Sequence, residues 1–539
     1  MRDESLQAPE VTPVALRDVP AMPEGKQLVA PRPSLVEPID VAVIAESIAA
    51  SFAIRPPGDH HVHGITQRAQ HVRAGDLFAA LPGARVHGAD FAEVVLAAGA
   101  AAILTDAAGA ARPALQAANV PVLVLPDPRM VLGELAARIY GCPSDHLSVI
   151  GVTGTSGKTT TTYLIDAGLR AAGKTTGLIG TVQTAIAGER LTSAFTTPEA
   201  PDLQALLAYM LEQGATHVPM EVSSHALTFG RVAGVRFSVG GFTNLSQDHL
   251  DFHHDMEDYF AAKAKLFDGR AAIEVVCTDS EWGLRLVRPD TVTVNTTGSA
   301  AVWRVEDLEP FEIGGQRFTA VGPHGLRIPI ALRLPGSFNV ANALLATAIL
   351  IAAGIDPDAI SRGLSTVDVP GRMERVDAGQ EFTAVVDYSH KPAAVALALD
   401  AVHAQLDRSG SAGRVLMVLG CGGDRDAGKR PLMGEAATRR ADLLVITDDN
   451  PRSEEPDTIR AAMRDGALAV PRTQRGEVVD IGDRRAAIRF AVANARAGDV
   501  VVVAGKGHET GQEIAGMIHP FSDRDELDAA IRELAKTHS

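Results

Sequence analysis

Short apolar runs rich in Val, Ile, Leu and Ala recur along this chain, each closed by glycine or polar residues, and stretches with helix-like apolar spacing separate them. Runs of the first kind are strands buried on both faces, and the intervening stretches are helices laid against them. The alternation starts at Val41 with a helix over 41–51, the segment 73–81, a helix over 90–99 and short strands at 101–104 and 120–124. It resumes at Leu147 with strands at 147–153, 177–180, 217–222, 239–243 and 275–277. A third block follows Pro370-Gly371-Arg372, with strands at 382–387, 414–419, 443–447 and 500–504. This order predicts an α/β chain built on parallel, helix-flanked sheets, with ligands beyond the carboxyl ends of the strands. Residues 1–38 break the pattern. Prolines at 9, 13, 20, 23, 31, 33 and 38 and little periodic apolar content predict an extended or disordered lead-in with no function.

At 539 residues the chain is too long for one hydrophobic core. Three domains are expected after the lead-in: a mixed α/β domain over 39–145, a central parallel-sheet domain over 146–368 and a C-terminal Rossmann-like α/β domain over 369–539. The composition, 46% hydrophobic and only 4% aromatic, supplies the small aliphatic residues such sheets use. A net charge of −16 repels nucleic acid and anionic membranes, so an anionic substrate must be held by local cations. Cys142, Cys277 and Cys421 have neither metal-ligand spacing nor a disulfide framework, which points to a reducing compartment. No apolar run approaches the roughly 18–20 residues of a membrane span, and the N-terminus does not resemble a secretory signal. The cytoplasm is the expected location, with no membrane insertion.

Gly154-Thr155-Ser156-Gly157-Lys158-Thr159-Thr160 follows the strand at 147–153 and carries the strongest chemical signal. Glycines let backbone N–H groups wrap a phosphate, Lys158 would bridge β- and γ-phosphates, and Thr159 would offer its hydroxyl to Mg²⁺ at a helix N-terminus. The loop is the shorter G-T-x-G-K-T form, because five positions before Gly157 stands Val152. Strand–loop–helix context favours binding of a nucleoside triphosphate over an incidental glycine-rich turn.

Further motifs follow in order: T-T-P at 196–198, M-E-V-S-S-H-A-L at 220–227, N-L-S-Q-D-H-L-D-F-H at 244–253 and A-A-K at 261–263. Then come P-G-S-F-N-V-A-N-A at 335–343, D-Y-S-H-K-P at 387–392, G-C-G-G-D-R-D-A-G-K-R-P at 420–431, D-N-P-R at 449–452 and A-G-K-G-H-E at 504–509. Over about 60–525 the chain resembles the Mur ligase family, and within it the branch that adds meso-2,6-diaminopimelate. The resemblance implies a UDP-binding first domain, a central ATPase domain and a C-terminal amino-acid-binding domain. It also implies ATP-dependent amide formation, through an acyl phosphate, between the D-glutamate γ-carboxylate of UDP-N-acetylmuramoyl-L-alanyl-D-glutamate and the diamino acid, in peptidoglycan precursor synthesis.

Site roles follow from the same resemblance. Lys158, Glu221, His249 and Lys263 are the expected catalytic set, with two Mg²⁺ ions held by Thr159, Glu221, His249 and Lys263. On pattern alone Lys263 is a solvated helix lysine, but the family carbamylates the equivalent lysine with CO₂, turning a cation into a carboxylate. Thr196, Thr197, Ser223 and Arg231 would hold the muramoyl-dipeptide and its pyrophosphate. Asn339, Asn342, Arg372, Asp387 and His390 would join the loop 154–160 around ATP, from two domains that close on it. Arg425, Asp449, Asn450, Pro451, Arg452, Gly505 and Glu509 would form the diaminopimelate pocket. There Arg452 meets the distal carboxylate that lysine lacks, and leaving a buried guanidinium unpaired costs about 3–5 kcal/mol. The family's uridine segment is altered, since Arg68, Ala69 and Gln70 replace its Asp, Ser and Arg, while His87-Gly88-Ala89-Asp90 resembles its second uracil turn. A lysine-adding or folate-type ligase, a non-catalytic nucleotide-binding protein and a P-loop motor each account for fewer of these motifs.

Overall fold

The computed structural model describes residues 31–538 apart from 84, 192–195, 251, 299 and 312–314. Three sheets organise it. The first has five strands in the order Ser51–Ile54, Val122–Val124, Ala102–Thr105, Asp76–Ala80, Gly64–Thr66, parallel except at the Ser51–Ile54 edge. Its inner strands 76–80 and 102–105 are buried at every position, the apolar residues filling both faces while Asp76 and Thr105 are buried with hydrogen-bond partners.

The central sheet has eleven strands. Its parallel part runs Gly177–Ile179, His217–Glu221, Ser148–Thr153, Phe237–Phe242, Ala271–Cys277, Val292–Asn295, Trp303–Phe311. Antiparallel strands extend both ends: Thr184–Ile186 and Glu189–Leu191 at one, Gly315–Val321 and Arg327–Leu332 at the other. The parallel, helix-flanked sheet expected from the order of elements is thus present, with antiparallel strands added at its edges. Arg327–Leu332 alternates exposed and buried positions, the pattern of a strand with one wet face. Helices Lys158–Ala171 and Ser337–Ala352 cover one face, packing Leu164, Ile165, Val340, Leu344 and Ile349 against Ile150 and Val152. Each such fully buried side chain contributes about 1.5–3 kcal/mol. That packing fixes the loop between Ser148–Thr153 and Lys158–Ala171.

The third sheet has the order Glu374–Arg375, Thr383–Asp387, Val500–Ala504, Val415–Leu419, Leu443–Ile446, Glu477–Asp480, parallel apart from its first strand. Apolar clusters cover both faces, one through Val395, Leu399 and Met463, the other through Ile488, Val492 and Leu527.

The lead-in expectation needs correcting for 31–38; residues 1–30 lie outside the described residues. Arg32 Nη1 donates to both oxygens of the buried Asp76 at 2.7 and 2.8 Å, and Ser34 N donates to Glu212 at 3.0 Å. Ile39–Asp40 then pairs with His61–Val62. A segment that docks in extended form needs no helical or alternating periodicity, so its proline content misled the sequence reading. The helix expected over 41–51 is Val41–Ser47, followed by the edge strand.

Candidate active site

Strand Ser148–Thr153 delivers the chain into a loop where Gly154 has φ +147° and Gly157 φ +86°. A Cβ at Gly154 would lie 1.9 Å from Thr243 Oγ1, and one at Gly157 2.3 Å from Asn342 Oδ1, so both geometry and space demand glycine. Asn244 braces the turn: its carbonyl accepts from Thr155 N at 2.9 Å and its Oδ1 from Ser156 N at 3.0 Å. Lys158 and the buried Thr159 and Thr160 open the helix. Lys158 Nζ donates to the carbonyls of Gly154 and Thr155 at 2.9 and 3.1 Å. Burial pushes its pKa down to about 8, against the pull of Glu221.

Two of the expected metal ligands touch. Thr159 Oγ1 donates to Glu221 Oε1 at 3.0 Å, and the buried carboxylate also accepts from Thr181 N at 2.8 Å and Thr181 Oγ1 at 3.0 Å. Lys263 approaches the same loop from helix Met256–Ala264 and donates to Gly154 O at 2.8 Å. Lys158 and Lys263 therefore share one carbonyl oxygen. Burial first, then Lys158, drives the Lys263 amine well below its ordinary pKa, and its Nζ lies 4.6 Å from the Tyr259 ring centre. Among the described residues no carboxylate lies within ion-pairing distance of it. The expectation of a solvated helix lysine, raised on pattern alone, is wrong for this side chain: it is 1% exposed.

His249 takes φ +52°, sits 3.1 Å from Asp248 and meets His225 edge-on at 5.0 Å. Burial, with help from Lys391, His225 and Lys158, lowers its pKa to about 4, leaving a neutral ring at pH 7. Tyr259 lies beside both His249 and Lys263. Among the described residues no group of three or more His, Cys, Asp or Glu has metal-site geometry by itself.

The four candidate muramoyl-dipeptide contacts cluster around Glu221. Thr197 Oγ1 donates to Glu221 O at 2.8 Å and accepts from Ser223 N at 3.3 Å; Thr196 shares a 3.0 Å hydroxyl contact with Thr181. Arg231 reaches Thr197 O at 3.3 Å and pairs with Glu199 at 2.6 Å. In the altered uridine segment Arg68 turns to Asp202 at 3.6 Å, and His87 caps Gly88–Phe91 while meeting Asp106 at 3.1 Å.

Asn339 and Asn342, both buried, are joined by a 3.1 Å bond, and Asn342 lies against Gly157. Arg372 covers the Tyr388 ring at 4.3 Å. Asp387 spends its oxygens on Met373 N and Ser389 N, each at 2.8 Å, and on the Ser389 hydroxyl, so it fixes the turn that presents Arg372. His390 bonds Tyr388 O at 2.8 Å; burial, with Lys391 and Lys429, lowers its pKa to about 3. Next to it Lys391 pairs with Asp248, tying the C-terminal sheet to the His249 loop. Burial works against the Asp248 anion, yet Lys391 and His249 hold its pKa down at about 2.

Beyond the carboxyl ends of Leu443–Ile446 and Val500–Ala504, on the same end of the sheet as Asp387, Asn450 donates to Glu509 at 2.8 Å and accepts from Lys506 at 2.9 Å. Lys506, fully buried, also meets Glu509 at 3.1 Å and Asp449 at 3.9 Å. Gly505 N donates to Asp387 O at 3.2 Å, tying this cluster to the candidate nucleotide residues. Pro451 leads into Arg452, whose φ is +54° and whose Nη1 donates to Gly423 O at 2.6 Å. Arg425 is exposed on the same loop as Gly423.

Sequence reasoning passed over Lys506, Thr181, Glu199, Lys391 and Glu513, which lies 3.3 Å from Arg452. Lys506 had a signal, since Asp449 and Glu509 were both placed in one pocket and buried carboxylates need a cation. The others depend on long-range juxtaposition.

The Mur ligase family catalytic domain matches residues 61–140, the Mur ligase middle domain 152–350, and the Mur ligase glutamate ligase domain 371–507. A protein of Streptomyces coelicolor named UDP-N-acetylmuramoyl-L-alanyl-D-glutamate--2,6-diaminopimelate ligase is 52% identical over 509 residues, 93% of this chain and 98% of that one. One of the same name from Corynebacterium efficiens is 50% identical over 503 residues, 92% and 95% of the two chains. A solved structure of a ligase with that name superposes with a TM-score of 0.63 at 34% identity, covering 89% of this chain and 96% of its own. Matches across all three sheets, with identity at this level over nearly the whole length, show that the chain belongs to the Mur ligase family.

Proposed function

We propose that this chain is an ATP-dependent ligase that joins meso-2,6-diaminopimelate to UDP-N-acetylmuramoyl-L-alanyl-D-glutamate in the cytoplasm, during peptidoglycan precursor synthesis. The observation that carries this reading is the pairing of opposite demands in one pocket: Arg452 stands in a left-handed turn next to the Asp449, Asn450, Glu509 cluster. A cation beside anionic and amide acceptors fits the distal end of diaminopimelate, which bears both a carboxylate and an ammonium. Arg425, exposed on the Gly423 loop, would add a second cation. The names carried by relatives about half identical to this chain support the same acceptor.

The γ-carboxylate of D-glutamate attacks the γ-phosphorus of ATP, the bridging P–O bond breaks and ADP leaves. The amine then forms the C–N bond, the C–O bond to phosphate breaks, and phosphate and a proton depart. Both reactants of the first step are anions, so fixed positive charge lowers its barrier. Lys158 exchanges its loop carbonyls for γ-phosphate oxygens, and Arg231 meets the substrate's pyrophosphate. Thr159 with Glu221 would hold one Mg²⁺, and the neutral ring of His249 with a carbamate on Lys263 a second. These ions would supply charge neutralisation at the phosphates. Lys263 fits that modification chemically: only a neutral amine adds CO₂, and its shared oxygen with Lys158 disfavours a second ammonium. No described helix is long and apolar enough to cross a membrane.

ADP release measured with UDP-muramoyl-dipeptide and each of several amino acids tests the reading. Release dependent on meso-diaminopimelate is expected; equal release with lysine would refute it.

A further inference from the structure

Arg452 already has a carboxylate. Glu513 Oε2 lies 3.3 Å from its Nε, and the backbone locks the two together: Arg452 N donates to Glu513 O at 3.0 Å and Ala515 N to Arg452 O at 2.7 Å. Glu513 N in turn donates to Asn450 Oδ1 at 3.0 Å, so the residue is anchored to the same turn that carries the pocket. It belongs to Gly511–Ile514, which forms a hairpin with the exposed strand Met517–Pro520. The side chains of Arg452 and Glu513 are 24% and 40% exposed, so their contact is open to exchange. Nη1 donates to Gly423 O, and Glu513 faces the Nε side, so a carboxylate that takes the Nε–Nη2 edge of this guanidinium displaces Glu513.

We infer that Glu513 is a specificity-determining residue, a resident carboxylate that occupies Arg452 until the distal carboxylate of the incoming amino acid replaces it. This rests on the reading that Arg452 receives that carboxylate. Two consequences follow from simple competition. Apparent affinity for the dicarboxylate is reduced by the stability of the internal pair, and an exposed pair of this kind reduces it by about threefold to fivefold. A competitor without the distal carboxylate, such as lysine, never faces an unpaired guanidinium, because Glu513 stays in place. Glu513 therefore weakens discrimination that Arg452 alone would enforce.

The test is steady-state kinetics of Glu513→Gln, Arg452→Ala and the double variant with meso-diaminopimelate and with lysine. Gln keeps the shape and the backbone bonds while removing the charge. Glu513→Gln should lower KM for meso-diaminopimelate about threefold to fivefold and raise selectivity over lysine by at least as much; structural damage would not improve either. In the Arg452→Ala background the same change should do nothing. If Arg452→Ala raises KM but Glu513→Gln leaves it unchanged, raises it, or lowers it equally for lysine, Glu513 is no competitor and this inference falls while the role of Arg452 stands. If Arg452→Ala moves neither KM nor selectivity, both fall together.

Discussion

Lys263 is held where a charged amine is costly: buried, over an aromatic ring, and sharing the Gly154 oxygen with Lys158. A carbamate there would convert a clash of like charges into an attraction. Lys263→Ala should lose most activity and regain part of it with a short carboxylic acid, whereas full activity without rescue would rule the modification out. Arg452 is the other residue on which the proposed function rests. Arg452→Ala should lower kcat/KM for meso-diaminopimelate by roughly two decades, the loss of about 3 kcal/mol expected for an unpaired carboxylate in a partly buried site. ATP and UDP-muramoyl-dipeptide KM values should hold, and unchanged selectivity over lysine would refute the assignment. Residues with a local motif, such as Lys158 or Glu221, were legible in the sequence because the motif states spacing and neighbours. Glu513 and Lys391 were not, since each acquires meaning only through a partner on another loop or another sheet.

Among elements, the strands buried at every position, such as Val415–Leu419 and Val500–Ala504, were legible because a short, Val-rich apolar run bounded by glycine and polar residues is the pattern of a strand covered on both faces. The antiparallel edges were not: one face of Arg327–Leu332 is wet, and its polar half hides the strand. The segment 31–38 escaped for a related reason, as it is fixed by the Arg32–Asp76 ion pair and the Ser34–Glu212 bonds rather than by a periodic apolar face. Asp76 is 1% exposed, and Arg32 and the Arg73 N–H are what satisfy it. Removing one partner of such a pair leaves a buried charge, costing about 3 kcal/mol where one hydrogen bond remains. Arg32→Ala should therefore lower the denaturant midpoint of unfolding, and truncation through residue 36 should do the same. A midpoint equal to that of the unaltered chain would mean that the docking contributes nothing.

On the scale of the whole molecule, the proposed nucleotide site would draw on two bodies: loop 154–160 with Asn339 and Asn342 from the central sheet, and Arg372 with His390 from the C-terminal one. The Lys391–Asp248 pair crosses between them, and it sits one residue from His390 on one side and from His249 on the other. A contact so placed biases the chain toward the arrangement in which both halves face the same ATP, and a ligand's apparent affinity scales with the fraction of molecules already so arranged. Side-chain exposures of 19% and 16% make it a partly buried pair, for which about 1 kcal/mol is a reasonable worth. Lys391→Met should then raise KM for ATP about fivefold while leaving KM for the amino acid nearly untouched. The pH dependence has a definite sign. Asp248 has a depressed pKa, so its contribution is complete above the ordinary carboxylate value of 3.8 and is lost only as pH falls toward about 2. The penalty in Lys391→Met should consequently be the same at about pH 5 as at about pH 7, and should shrink with added salt, which screens the pair in the unaltered chain. An ATP KM that does not respond to the substitution at low salt would show that the two bodies find each other without this bridge.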